Sequence, residues 1–436
     1  MNPRKIIKLF IPKSLFKKIE PYGHLVEAFL FNVINLFPFR GLKVIGVTGT
    51  NGKTTTSLMI HRMLQDSGYK CGIMTTVSYG IGEDIKPQMH HMTTVSVPLL
   101  ISRVKEMKKQ GIDYLILETT SHALAQNRVW GVPFSIVVLT NITHEHIAYH
   151  GSFEKYREAK LKLFKLANKN RKGLQIGLVN ADDPSFKLFS SHISHPISYG
   201  INGGQIKASE INLNSKGSDF KINFKDRNFK VHCNIPGSFN VYNSLAASGV
   251  GMALELTDEQ IANGISNLKS VEGRMTKIEE ANDFDLIVDY AHSPDSFEKL
   301  FKDLKPMLKG RLIVMFGSLG GGDLDKRYLQ GKLAGQYADL VVLCEEDDRK
   351  ESGDKIIEDI AKGVKDAHKL PEKNLVKIHD RAEAIQYSVN VARKGDTVLL
   401  LGKGHEKTIE HADGEHPWNE IKQAQIAVRN RLKQSL

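Results

Sequence analysis

Seven consecutive residues, Gly49-Thr50-Asn51-Gly52-Lys53-Thr54-Thr55, carry the strongest chemical signal in the chain. A glycine-rich loop offers backbone N–H groups to an anion, and a helix starting at its end adds a favourable dipole. In such a loop Lys53 reaches the outer phosphates of a nucleotide, and Thr54 gives its hydroxyl to Mg2+. The run lies between KVIGVT (43–48) and TTSLMIHRMLQDSG, so a buried strand, a phosphate loop and a helix N-terminus are expected in that order. Glu118 closes the apolar run IDYLILE (112–118). A carboxylate at the C-terminal end of a parallel strand lies where open α/β sheets bind ligands, and its hard oxygens suit Mg2+. For Glu118 alone, a helix-capping or solvated role competes with that reading. The histidines of THEH (143–146) follow the buried run FSIVVL (134–139). Taken alone they read equally as ligands or as polar loop residues.

The elements that must position these groups read as α/β. Strands alternate with helical segments, which argues for a mainly parallel sheet. Three parts are expected: a short helical N-terminal extension (1–40), a P-loop central domain (41–272) and a Rossmann-like C-terminal domain (273–436). Residues 205–235 alternate polar and apolar, which predicts a β-excursion inside the central domain. Strands are expected at 285–289, 311–316, 340–344 and 397–401 in the last part. The glycine-rich stretch 317–322 and His405-Glu406 then follow strands, where ligands bind.

Composition excludes several classes. The 436 residues are 41% hydrophobic and 25% charged, ordinary values for a folded globular protein rather than a disordered or fibrous one. The net charge of +11 suits anionic partners without choosing among them. No aromatic–basic interleaving or nucleic-acid motif accompanies it, so no nucleic-acid partner is expected. Cys71, Cys233 and Cys344 are scattered, which fits buried thiols in a reducing cytoplasm. Near the N-terminus Arg4, Lys5, Lys8, Lys13, Lys17 and Lys18 precede HLVEAFLFNVINLFPF (24–39), a helical apolar face too polar and short to span a bilayer. Packing against the next domain is the expected role. Peripheral contact of residues 1–40 with the inner membrane surface is the alternative.

Ordered motifs then reach a family. GVTGTNGKTTT, LETTSHALAQNRV, THEHIAYHGSFEKYREAKLKLF, LVNADDPS, PGSFNVYNSLAA, VEGRMTKI, VDYAHSPDSFEKLF and LLGKGHEKT together resemble the Mur ligase family. SHALAQNRV, DYAHSPD and GKGHE resemble its MurE branch, the UDP-N-acetylmuramoyl-tripeptide synthetases. The resemblance implies an ATP- and Mg2+-dependent ligase of peptidoglycan precursor synthesis. Such an enzyme would phosphorylate the D-glutamate carboxylate of UDP-N-acetylmuramoyl-L-alanyl-D-glutamate. It would then let a diamino acid, meso-diaminopimelate or L-lysine, attack the acyl phosphate.

Residue roles follow from the resemblance alone. It assigns ATP to Gly49, Thr50, Asn51, Gly52, Lys53, Thr54 and Thr55, to Asn240 and Asn243 near the adenine, and to Arg274, Asp289, Tyr290 and His292. It assigns Mg2+ to Thr54, Glu118, His146 and Lys160, the last carried by the family as a carbamate. Lys53, Glu118, His146 and Lys160 form the implied catalytic set. Thr93, Thr94, Thr120, Gln126 and Arg128 match contacts to the muramoyl-peptide. Arg327, Arg349, Gly402 and Glu406 match the positions that hold the incoming amino acid.

The chain also departs from the pattern. Only about forty residues precede the phosphate-loop strand, fewer than a uridine-holding domain needs. A lipid-linked or folate-like carboxylate is therefore the alternative acceptor. EDDR (346–349) stands where diaminopimelate-adding enzymes carry DNPR, which keeps the arginine and loses the Asn-Pro turn. Diaminopimelate is the expected amine and lysine the rival. Glu145 replaces a usual aspartate, and GSLGGGDLDKR (317–327) is unusually glycine-rich. A catalytically inert relative is disfavoured by the intact set Lys53, Thr54, Glu118, His146, Lys160, Asp289 and His292.

Overall fold

A computed structural model describes residues 13–89, 92–214, 216–321, 324–367 and 374–434. Arg4, Lys5 and Lys8 of the basic segment, and Gly322 of the glycine-rich loop, lie outside the described residues. So do the side chains of Lys13, Lys17, Lys18 and Ala148. The chain divides into two compact units. The first comprises residues up to Ile211 with Phe220–His232 and Val241–Leu268; the second takes Asn212–Asp219, Cys233–Asn240 and Lys269–Leu436.

The first unit is built on an eleven-stranded sheet. Its strands are β1 (Lys43–Thr48), β2 (Cys71–Met74), β3 (Ser78–Ile81), β4 (Asp84–Pro87), β5 (Tyr114–Glu118), β6 (Phe134–Leu139), β7 (Ile176–Asn180), β8 (His195–Gly200), β9 (Ile206–Asn214), β10 (Gly217–Phe224) and β11 (Arg227–Cys233). They lie in the order β11-β10-β9-β8-β7-β6-β1-β5-β2-β3-β4. β1 lies between β5 and β6, parallel to both. Such central strands are covered on both faces, which is why they read as unbroken apolar runs rather than alternations. Val44, Leu115, Leu117, Phe134 and Val137 are accordingly buried in one core. β9 to β11 are the predicted β-excursion.

The helix Lys13–Ile34 packs within this unit. Ala28 and Asn32 are buried. The Asn32 amide donates to Trp130 O at 3.3 Å, Asn127 donates to Pro21 O at 3.0 Å, and Phe29 meets Trp130 edge-on. Its other face leaves Tyr22, Val26, Leu30, Val33 and Ile34 exposed. Among the described residues no helix is long and apolar enough to cross a membrane.

The second unit holds β12 (Thr276–Lys277), β13 (Asp285–Asp289), β14 (Leu312–Phe316), β15 (Leu340–Leu343), β16 (Leu375–Lys377) and β17 (Thr397–Leu401), ordered β12-β13-β17-β14-β15-β16. All neighbours are parallel except β12 against β13. A separate hairpin joins β18 (Thr408–His411) to β19 (Gly414–Pro417).

One buried ion pair locks this unit. Arg381 and Glu420 are both fully buried and meet in a fork, Nε to Oε2 at 2.9 Å and Nη2 to Oε1 at 2.7 Å. Arg381 also donates to Leu401 O and Glu345 O, which ties the ends of β17 and β15 together. Removing one partner strands a buried charge, so Arg381→Leu is expected to cost about 3–5 kcal/mol. Urea unfolding monitored in the second unit checks this; a loss below about 1 kcal/mol would contradict it.

Candidate active site

Strand register assembles the first cluster. Val47 of β1 is paired with Glu118 of β5, and Thr48 with Leu139 of β6. The phosphate loop, Glu118–Thr120 and Thr140–Thr143 therefore leave the sheet together at its C-terminal edge. The loop is braced from that side. Thr50 N donates to Asn141 O at 2.8 Å, Asn51 N to Asn141 Oδ1 at 3.0 Å, and the Thr140 hydroxyl to Asn51 O at 2.6 Å. Lys53 Nζ reaches back to Thr50 O at 2.8 Å.

Two glycines allow this approach. A Cβ on Gly49 would lie 1.8 Å from Thr140 Oγ1, and one on Gly52, at φ 82°, 2.3 Å from Asn243 Oδ1. That Asn243 oxygen accepts from Thr56 in the helix Lys53–Asp66, which the loop begins. A left-handed backbone costs an L-residue about 1–2 kcal/mol before any clash. Gly52→Ala should therefore weaken nucleotide binding at least about tenfold, as read by ATP titration; unchanged affinity would contradict the cradle.

Glu118 is buried, and its carboxylate is held by hydroxyls. Oε2 accepts from Thr54 Oγ1 and Thr76 N, each at 2.9 Å, and Oε1 from Thr76 Oγ1 at 2.9 Å. Thr76 also lies 3.0 Å from Thr93 Oγ1. Thr94 Oγ1 donates to Glu118 O and accepts from Thr120 N, both at 3.0 Å. Arg128 hydrogen-bonds the carbonyls of Thr94 and Val95, so it fixes the segment that presents the threonine pair. Gln126 donates to the Tyr149 hydroxyl at 3.0 Å. Thr54 and Glu118 are hard oxygen donors 2.9 Å apart, a pair that fits Mg2+.

Lys160 lies in the helix Phe153–Lys169, is 2% exposed, and donates to Gly49 O at 2.6 Å. Burial, and then the nearby Lys53, hold its pKa well below the ordinary lysine range. Tyr156, one turn earlier, puts its ring 4.7 Å from Lys160 Nζ and its hydroxyl 2.8 Å from Thr50 Oγ1. His146 has φ 56° and a half-exposed side chain, and its ring lies 4.8 Å from that of His122. His144 turns away and stacks on Phe153. His122 and His150 join the aromatic group around Tyr149; burial holds their pKa values down at about 3 and about 4.

A second cluster forms within the other unit from four distant motifs. Asp289, at the end of β13, accepts from Met275 N and Ala291 N, each at 2.7 Å. Burial pushes its carboxyl up, opposed by Arg274. The Arg274 guanidinium lies 4.5 Å over the Tyr290 ring, which sits 4.7 Å from the rings of His292 and His405. Tyr290 donates to Glu406 at 3.3 Å, and Lys403 bridges Glu406 and Asp347 at 2.5 and 2.8 Å. A Cβ on Gly402, at φ 104°, would lie 2.4 Å from Glu346 Oε2. Asn240, buried, donates to Pro236 O.

The two amino-acid arginines differ. Arg349 is exposed, with Nε 3.0 Å from Glu410 Oε2. Arg327 is 1% exposed, and its fork is occupied by Glu351 at 2.7 and 2.9 Å and by Asp359 at 3.3 Å. In this structure Arg327 braces the loop beside Leu319 O rather than presenting itself to a ligand, because a substrate carboxylate would have to displace Glu351. Motif reading missed Thr76, Tyr156, His122 and Lys403. Position could have found two of them: Thr76 follows the C-terminal end of β2, and Tyr156 sits four residues before Lys160 on one helix face.

The chain is similar in sequence and fold to known proteins. Residues 47–251 match the Mur ligase middle domain, and residues 273–404 the Mur ligase glutamate ligase domain. A UDP-N-acetylmuramyl-tripeptide synthetase of Roseiflexus sp. is 37% identical over 403 residues, 90% of this chain and 79% of that protein. A UDP-N-acetylmuramoyl-L-alanyl-D-glutamate--2,6-diaminopimelate ligase 1 of Clostridium acetobutylicum is 36% identical over 373 residues, 85% of this chain and 74% of its own length. A solved structure of a UDP-N-acetylmuramoyl-L-alanyl-D-glutamate--2,6-diaminopimelate ligase is similar at a TM-score of 0.63 and 27% identity, covering 95% of this chain and 83% of that one.

Proposed function

The chain belongs to the Mur ligase family, an ATP-dependent ligase family, and from that premise we propose how its residues work. The protein adds a diamino acid to the D-glutamate of UDP-N-acetylmuramoyl-L-alanyl-D-glutamate. An acceptor carboxylate oxygen attacks the γ-phosphorus of ATP, ADP leaves, and an acyl phosphate forms. The amine nitrogen then attacks the acyl carbon, phosphate departs with the C–O bond electrons, and the nitrogen loses a proton. The observation that carries this reading is the shared edge where the braced loop, Glu118 with its threonines, and Lys160 meet.

The two anions repel, so the protein's task is to place cations and N–H donors where charge accumulates. The loop amides and Lys53 hold the phosphates. Thr54, Glu118, His146 and Lys160, the last as a carbamate, would hold Mg2+, which would supply charge neutralisation to the phosphoryl group. Thr93, Thr94 and Thr120 orient the muramoyl-peptide, and Arg128 holds their backbone in register. Asn240, Asn243, Arg274, Asp289, Tyr290 and His292 hold the rest of the nucleotide.

Meso-diaminopimelate is the proposed amine, because Arg349 offers an exposed guanidinium suited to its distal carboxylate. Glu406 and Gly402 border the same motif group, and Arg327 supports it from behind. Mass spectrometry of the product with meso-diaminopimelate and L-lysine in equal competition tests this. A lysine-only product would overturn the choice of amine without touching the ligase. A lipid-linked acceptor is the alternative to a UDP-linked one.

The exposed stripe Tyr22, Val26, Leu30, Val33 and Ile34 favours a second reading, contact of the helix Lys13–Ile34 with an anionic membrane surface. The protein should then cosediment with anionic vesicles, and Val26→Glu with Leu30→Glu should abolish this. Failure of the unsubstituted protein to cosediment would remove it.

A further inference from the structure

Three histidines of the second unit take no part in the chemistry above. His379 follows β16, His411 ends β18, and His416 lies on β19. His379 and His411 meet the acidic loop after β15, and His416 lies against His411. His411 Nε2 is 2.9 Å from Glu345 Oε2, and His379 Nε2 is 3.5 Å from Asp348 Oδ2 and 3.9 Å from Glu345 Oε2. The His411 and His416 rings are 5.1 Å apart, and Asp413 lies 2.8 Å from His416 Nε2. We propose that His379, His411, Glu345 and Asp348 form a binding site for one divalent transition-metal ion, with Zn2+ the best match, and that His416 and Asp413 flank it.

Ligand spacing supports this. Around an ion with 2.0–2.1 Å bonds, tetrahedral ligand atoms lie about 3.3 Å from one another. Three separations, 2.9, 3.5 and 3.9 Å, lie near that value; Glu345, Asp348 and His379 offer ligand atoms all within 4.8 Å of one another, and His411 joins them through Glu345. A separate observation points the same way. Asp348 is 7% exposed, yet its Oδ1 has no hydrogen-bond partner. A buried carboxylate oxygen normally has one, and a metal ion would supply it. Burial also pushes the Asp348 carboxyl up, with His379 and His411 opposing and Glu345 reinforcing. Gly353 leaves the room for this pair, since a Cβ there would lie 2.1 Å from Asp348 Oδ2 and 2.2 Å from His379 Cε1.

Two imidazoles with two carboxylates select a borderline metal over Mg2+, which prefers oxygen alone. The ion would act as a clip. Arg349 N already donates to Glu410 O at 3.0 Å, and Glu410 N to Asp347 Oδ1 at 2.8 Å, so the loop and the hairpin are zipped along one side. Metal at His379 and His411 would fasten the other side.

The test is Zn2+ titration of the full chain against a chromophoric chelator, in excess Mg2+ and without nucleotide. The expected result is one Zn2+ per chain, not displaced by Mg2+, with a raised unfolding temperature. His379→Ala and His411→Ala should each weaken binding at least about tenfold. Both side chains are partly exposed, so these variants keep the fold, and Asp348→Asn gives a third arm. Absence of Zn2+ binding would overturn the proposal. So would undiminished binding in His379→Ala and His411→Ala, which would place the ion elsewhere, for example at His122 and His150.

Discussion

Replacing Lys160 with alanine should lower ligase turnover by about 10²–10³-fold while ATP still binds. The argument begins with burial. A lysine at 2% exposure beside Lys53 is held toward its neutral form, and a neutral amine is the form that adds to CO2. Addition of that amine to CO2 would form an N–C bond, shift one C=O electron pair onto oxygen and release a proton, so a carbamate anion would replace a neutral amine. The new charge would offer an oxygen ligand for Mg2+ beside Gly49 O where the sequence encodes a lysine. Two measurements separate this from loss of packing. Short carboxylates such as acetate should restore part of the activity of Lys160→Ala by filling the space with an oxygen anion. Removing CO2 from the unsubstituted enzyme should reversibly lower its rate, with recovery on adding bicarbonate. An active Lys160→Ala variant, or a rate indifferent to both additions, would contradict the carbamate.

Lys53→Ala should be comparably severe, about 10²–10³-fold in kcat/KM for ATP. Lys53 Nζ bridges the loop mouth to Thr50 O, the position from which a cation meets outer phosphates. Its loss removes charge needed most where the carboxylate approaches the phosphoryl group, so kcat should fall more than acceptor affinity. A variant with unchanged kcat and a raised ATP KM would make Lys53 a binding residue only.

Local chemistry made the phosphate loop legible. KVIGVT and the glycine–lysine–threonine run act on near neighbours, and the strand, loop and helix appear where those residues place them. Glu118 was legible as the carboxylate that ends its strand, with a capping or solvated role still competing, and only the fold shows Thr54 and Thr76 around its oxygens. Lys160 was not legible from local pattern. On its helix it looks like a surface lysine, and only the packing of that helix under Gly49 buries it. Family resemblance found it where periodicity could not. Thr76 and Tyr156 escaped because each acts across the sheet on a residue far away in the chain. Arg327 shows the reverse case. The family resemblance assigned it to the incoming amino acid, and no local signal showed that Glu351, 24 residues on, supplies a carboxylate to it from within the chain. The N-terminal helix was legible as a packing helix from its apolar face, but not the Trp130 surface that receives it.

The most direct measurement of the central claim is phosphate release from ATP and Mg2+ with UDP-N-acetylmuramoyl-L-alanyl-D-glutamate, with and without meso-diaminopimelate or L-lysine. The account predicts release that requires both the acceptor and one diamino acid, one phosphate per amide formed. Release that proceeds equally without acceptor, or none with either amine, would contradict it.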